Sequence, residues 1–304
     1  MSAATRTTVQ MAGSGTSASD GPAAPRPQPW RWMLRPVFGL ILAGMALLAL
    51  VAGGIWFAGF IALGTSAGVR EWHRMVSRGD YRPFLPGSIV ALLLGLSLAV
   101  FATGGPERAP AAYGLAGAGY AAAALLAAAV AWMRSEQVLW QGIGPLYLGL
   151  PGLSLFALRA TPDHGLWLVL TLFAAVWACD TGALVCGKLI GGPKLVPRLS
   201  PNKTWAGFVG GSVSASAAAA LALATFGAEV WRGALFGLII ALISHGGDMF
   251  ESWVKRRVGR KDSGHLIPGH GGVLDRIDSI LFAAPCCAAF VFFFGAQALL
   301  GGNL

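Results

Sequence analysis

Five of the thirteen acidic residues crowd into one stretch of the chain: Asp248, Glu251, Asp262, Asp275 and Asp278. The same stretch carries Lys255, Arg256, Arg257, Arg260, Lys261 and Arg276, with His265 and His270 among them. Taken alone, Lys255–Lys261 reads as a polybasic patch drawn to anionic lipid, at about 1 kcal/mol per charge. Six bases against five acids, however, leave a formal balance of only +1. A lipid-attracting patch has no use for five interspersed carboxylates, whereas a site that holds a metal ion and a polyphosphate needs both signs.

Spacing sharpens the reading. On a helix reaching about residue 255, Asp248, Glu251, Ser252 and Lys255 fall at i, i+3, i+4 and i+7 and share one face, with His245 three residues earlier on the same side. Asp275 and Asp278 are again i, i+3 if a helix starts there. Two helix ends can then aim carboxylates at one point. Acidic oxygen ligands suit Mg²⁺, which takes one or two carboxylates and completes its shell with water and phosphate. Glycines stand beside the charges in His245-Gly246-Gly247-Asp248 and Gly269-His270-Gly271-Gly272. Their bare backbone can approach phosphate oxygens, or can simply serve helix packing.

A second charged place is Asp180, inside an apolar run, where an ionisable residue is functional by default or is paired with a base from another helix. The loop after that run, Leu199 to Trp205, carries Ser200, Asn202 and Lys203. Lys203 could neutralise phosphate charge; alternatively Ser200, preceding Pro201, caps the next helix. Cys179, Cys186, Cys286 and Cys287 have no zinc-site spacing and read as buried thiols.

The elements that must position these residues follow from composition. The chain has 304 residues, of which 55% are hydrophobic and 12% charged, with a mean hydropathy of +0.64. Soluble domains carry about 25% charged residues. An ordinary soluble globule, a disordered chain and a secreted disulfide scaffold are thereby excluded. What remains is an all-α polytopic membrane protein. About nine spans are expected, near 37–53, 54–73, 84–102, 112–132, 139–158, 164–188, 206–226, 232–252 and 279–300. The uncharged run 37–69 is too long for one span and should turn at Gly53-Gly54. The alanine- and glycine-rich fourth span should pack closely on other helices and see little lipid.

Residues 1–29 read as a disordered cytoplasmic tail with no signal peptide, and 30–304 as a single membrane domain whose catalytic region spans about 177–280. With the N-terminus inside, nineteen of the 22 Lys and Arg fall on the cytoplasmic side, and only Arg108, Arg159 and Arg232 lie outside. The net charge of +9 therefore reads as topology and anionic partners rather than nucleic-acid binding. No internal repeat is visible.

At the charged residues the sequence resembles the CDP-diglyceride synthetase (phosphatidate cytidylyltransferase) family of integral membrane enzymes. The family signature stands here as Ser252-x-x-Lys255-Arg256, Lys261-Asp262, His270-Gly271-Gly272 and Asp275-Arg276-x-Asp278. Two outlying blocks match as well, Trp177 to Ala183 and Ser200 to Gly207. Ala206 replaces an acidic residue in the second, and Leu184 replaces an aromatic just after the first.

The resemblance implies CTP + phosphatidic acid → CDP-diacylglycerol + pyrophosphate with Mg²⁺, in phospholipid biosynthesis at the cell inner membrane. It also implies a homodimer, and K⁺ as the kind of second cation that accompanies Mg²⁺. Asp248 and Asp275 are the implied metal ligands. Lys203, Lys255, Arg256, Lys261 and Arg276 would hold the phosphates of both substrates. Asp180, Asp262 and Asp278 are left to ligate a second cation or to orient the bases. Ser200, Asn202, Ser252, His270, Gly271 and Gly272 complete the expected site. Two alternatives remain at this stage: a CTP-dependent kinase of polyprenols or other lipid alcohols, and a transporter whose charges line a midplane pathway.

Overall fold

The computed structural model describes residues 31–102, 109–264, 266 and 271–300. The expected tail 1–29, Arg108, His265, Gly269 and His270 lie outside the described residues. Among those described, nine helices of 18 to 28 residues follow one another. They are α1 (Arg31–Ala52), α2 (Gly54–Val76), α3 (Leu85–Ala102), α4 (Ala109–Met133), α5 (Val138–Arg159), α6 (Gly165–Leu189), α7 (Trp205–Ala224), α8 (Val230–Arg257) and α9 (Leu274–Phe294), followed by a single turn, α10 (Gln297–Leu300).

Among the described residues, six stretches are long and apolar enough to cross a membrane: 82–101, 111–133, 165–189, 205–224, 230–257 and 274–294. α1, α2 and α5 have similar lengths, but α2 ends in Arg70, Glu71, His73 and Arg74, and α5 carries Gln141 and two internal prolines. The fold is thus an all-α polytopic membrane protein with one addition. Between α6 and α7 the chain forms an antiparallel hairpin, β1 (Lys194–Val196) with β2 (Ser200–Thr204), pairing Lys194 with Thr204 and Val196 with Ser200.

The uncharged run breaks where its glycines predict. Gly53 sits at φ +67, a left-handed conformation that other residues adopt only with strain. The last carbonyls of α1 have no helical partners of their own. Arg159, at the end of α5, supplies one by donating Nε to Leu50 O at 2.8 Å.

Three expectations need correction. α8 runs five residues past 252, and α9 starts at 274 rather than 279, ending at Phe294 before Gly295 at φ 79. The expected spans covered only the apolar stretches; the helices extend into the charged residues, as the shared faces of Asp248–Lys255 and Asp275–Asp278 require. α4 does pack on α3 and α5, but only a third of it is buried. Leu115, Leu125, Leu126 and Trp132 face outward, so alanine content did not bring burial within the chain. Of the cysteines, all free, Cys179 and Cys287 are buried, while Cys186 is half-buried and Cys286 exposed.

α5 is central and packs on α2, α3, α4, α6 and α9, while α6, α7 and α8 form a tightly apposed layer. Close approach in that layer depends on missing side chains. A Cβ on Gly211 of α7 would lie 2.8 Å from Cys179 O and 3.2 Å from His245 Cε1. Gly211→Val is therefore expected to lower stability by about 1–3 kcal/mol through overpacking. A reduced thermal midpoint of the detergent-purified protein would report it; an unchanged midpoint would mean the layer can part without cost.

Candidate active site

One cavity of about 650 Å³ gathers residues from α6, the hairpin, α7, α8 and α9. This lies within the ~300–1,000 Å³ range of small-molecule sites. Each element contributes for a local reason. Thr204 ends β2 in extended conformation, and its hydroxyl accepts from Gly207 N at 3.1 Å. It thereby caps α7 and turns the chain, leaving Lys203 of β2 to face the helices. The alternative role for Ser200, as a helix cap, is taken by Thr204. On α8, the periodic face places His245, Asp248 and Lys255 on the cavity wall, with Glu251 fully buried behind it. On α9, Asp275 and Asp278 open the helix one turn apart.

Opposite charges are matched in pairs. Lys203 Nζ lies 2.5 Å from Asp248 Oδ2. Lys255 Nζ lies 2.8 Å from Asp275 Oδ1 and 3.3 Å from Glu251 Oε1. Asp275 also accepts backbone N–H bonds from Gly272 at 2.9 Å and Ser263 at 3.2 Å. Asp278 accepts from the Ser279 amide at 2.8 Å, and the Ser279 hydroxyl approaches Asp180 Oδ1 at 3.4 Å. Asp180 is therefore not a separate charged place but part of the same cavity.

The cavity brings together Asp180, Ser200, Asn202, Lys203, Asp248, Lys255, Asp262, Asp275, Arg276 and Asp278. The other expected site residues that are described do not line the cavity. Ser252 is half-buried and does not line the cavity, although its spacing puts it on the helix face that carries Asp248 and Lys255. Arg256 is exposed and donates Nε to Leu199 O at 3.4 Å, which ties the end of α8 to the hairpin. Lys261 is exposed and outside the cavity wall. Gly272 is buried with its amide committed to Asp275, and Gly271 precedes it at φ +86. His270 lies outside the described residues. Glu251 and Glu71 were not among the expected site residues. Glu251 had been placed on the Asp248–Lys255 face by its i+3 spacing without being given a role, whereas Glu71 sits on α2, far away in sequence.

The donor set suits a hard divalent cation. Five carboxylates line the cavity (Asp180, Asp248, Asp262, Asp275, Asp278) against three cationic side chains, Lys203, Lys255 and Arg276. The local excess is negative, and every acidic ligand atom is oxygen. Among the described residues no three His, Cys, Asp or Glu side chains stand as a ready-made metal cage. Mg²⁺ does not need one, because it draws much of its shell from water and substrate phosphate.

Residues 33–294 match the family model described as the cytidylyltransferase family. Curated relatives include the phosphatidate cytidylyltransferase of Brucella suis biovar 1, 45% identical over 158 residues, which is 52% of this chain and 57% of that protein. That of Rickettsia felis is 41% identical over 151 residues, 47% of this chain and 66% of that protein. That of Staphylococcus haemolyticus is 41% identical over 136 residues, 44% of this chain and 52% of that protein. The aligned part thus spans little more than half the length of the Brucella and Staphylococcus relatives.

Proposed function

Because the chain belongs to the cytidylyltransferase family, we propose that it is a phosphatidate cytidylyltransferase that converts CTP and phosphatidic acid to CDP-diacylglycerol and pyrophosphate. The observation that carries this reading is the pairing of Lys203 with Asp248 and of Lys255 with Asp275 on the wall of one cavity.

A phosphate oxygen of the lipid forms a bond to the α-phosphorus of CTP, and the bond from that phosphorus to the bridging oxygen of the β-phosphate breaks. Pyrophosphate leaves with those electrons. The attacking oxygen is already anionic, so no Ser or Cys nucleophile is required. Catalysis is then positioning and charge neutralisation. Lys203 and Lys255 each stand where a phosphate oxygen can replace the carboxylate partner. Arg276 adds a third cationic group to the same wall. Ser200 and Asn202 on the hairpin offer neutral donors to the nucleotide or lipid phosphates.

Asp248 and Asp275 would hold Mg²⁺, and Asp180, Asp262 and Asp278, which line the same cavity, would serve a second cation such as K⁺. When bound, Mg²⁺ supplies charge stabilisation of the triphosphate and of the departing pyrophosphate.

In the same reading all nine long helices cross the cell inner membrane with the N-terminus cytoplasmic. The hairpin and the residues between α8 and α9 then lie at the inner leaflet, where a lipid head group can meet a water-soluble nucleotide. A homodimer is the proposed assembly. The named relatives favour neither a lipid-alcohol kinase nor a transporter.

The test is an assay of the purified protein with labelled CTP and phosphatidic acid. Label is expected in CDP-diacylglycerol, with one pyrophosphate released per product. Chelation of divalent ions should lower the rate by at least ~10²-fold, given the several kcal/mol a metal supplies to such transition states. Release of CDP with a phosphorylated alcohol would overturn the reading, as would substrate flux across liposomes without CTP turnover.

A further inference from the structure

We propose that Glu71 of α2 is a positioning residue for the cavity: its carboxylate fixes the start of α9 and the segment before it, and so sets where Asp275 presents its oxygens. This inference rests on the function proposed above. Glu71 is 1% exposed. Its Oε2 accepts the Leu274 N–H at 2.9 Å and the Ser263 hydroxyl at 3.4 Å. Both partners are themselves buried.

The geometry links Glu71 to Asp275 through two shared residues. Ser263 gives its hydroxyl to Glu71 and its amide to Asp275. Gly272 gives its amide to Asp275 and packs on the Glu71 carboxylate, where a Cβ would come within 2.9 Å of Cδ. Gly264 closes the other side; a Cβ there would lie 2.5 Å from Glu71 Oε1. The backbone that surrounds Glu71 is therefore the backbone that cradles Asp275.

Charge explains why a carboxylate stands at this point. The first amides of a helix lack intrahelical acceptors and carry a partial positive charge. α9 receives no side-chain cap from its own Val273. Glu71, from a helix 203 residues earlier in sequence, takes that place. A buried carboxylate is costly to maintain, and Glu71 Oε1 finds no hydrogen-bond partner among the described residues. Plain packing between α2 and α9 would be better served by an apolar side chain, so the cost points to the ordering of the Asp275 cradle.

The experiment compares wild type, Glu71→Ala, Gly264→Ala and Glu71→Gln as purified full-length protein. Two quantities are read: amide hydrogen exchange across 263–264 and 271–276, and the Mg²⁺ concentration giving half-maximal CDP-diacylglycerol formation. Both alanine variants should speed exchange in those segments at least tenfold, with helices α6 and α7 unchanged. They should also raise the half-activating Mg²⁺ concentration at least fivefold. Glu71→Gln, which keeps an acceptor oxygen, should fall between them and wild type. Gly264→Ala leaves α2 intact and decides the matter if Glu71→Ala does not fold. Wild-type exchange in the two segments, or lost activity with unchanged Mg²⁺ dependence, would overturn the positioning role. If the wild type forms no CDP-diacylglycerol, the proposed function fails instead, and the exchange data still decide what Glu71 holds.

Discussion

Asp275→Asn is expected to lower CDP-diacylglycerol formation by at least ~10³-fold, a loss of about 4 kcal/mol of transition-state stabilisation. Two functions are lost at once. The carboxylate is one of two expected ligands for the divalent cation, and it is also the acceptor for Lys255 Nζ, Gly272 N and Ser263 N. An amide keeps one acceptor oxygen but turns an NH₂ donor toward groups that are themselves donors, and it leaves Lys255 with Glu251 alone. The variant should still enter the membrane, because the helices that carry it are apolar along most of their length. Activity per folded molecule, with folding checked by size-exclusion chromatography, is the measurement. Turnover within tenfold of wild type would remove Asp275 from the metal site.

The same residue shows what the sequence could and could not reveal. The i, i+3 spacing of Asp275 and Asp278, and the Asp248–Lys255 face of α8, are local properties of a helix. Once those two helices are granted, convergence on one cavity follows from their adjacency, and both were legible. The Gly53 turn was legible for a similar reason, since a charge-free run longer than a span must break and glycine permits it.

The hairpin at 194–204 was not. Its strands read Lys-Leu-Val and Ser-Pro-Asn-Lys-Thr, which show no alternation, and Pro201 argues against a strand. Its ladder is closed at the open end by Trp205 N donating to Pro193 O at 3.1 Å, and its tip is held by a tertiary contact, Arg256 of α8 reaching back to Leu199 O. Glu71 was illegible for a deeper reason. Beside Arg70 and Arg74 it looks like one more charge at a helix end, and only the folded chain reveals that it meets α9. Arg159 likewise reads as an outer-side charge, yet in the fold it completes the end of α1.

Lys255→Met separates catalysis from folding, and its effects on both should be large. Lys255 and Asp275 side chains are each 12% exposed and Glu251 is 0% exposed, so the lysine bridges two acidic side chains that water scarcely reaches. Removing one partner of such a buried arrangement typically costs about 3–5 kcal/mol. Activity should fall at least ~10²-fold as well, since a cation on the phosphates is lost. Lys203→Met supplies the contrast. Its pair with Asp248 is 23% and 32% exposed, so its stability cost should stay near ~1 kcal/mol while activity falls comparably. Adding Glu251→Gln to Lys255→Met removes one of the stranded carboxylates. The double variant is therefore expected to recover a substantial part of the lost thermal stability and none of the lost turnover. If it regains both together, Lys255 acts only through folding, and the phosphate-holding role passes to Lys203 and Arg276.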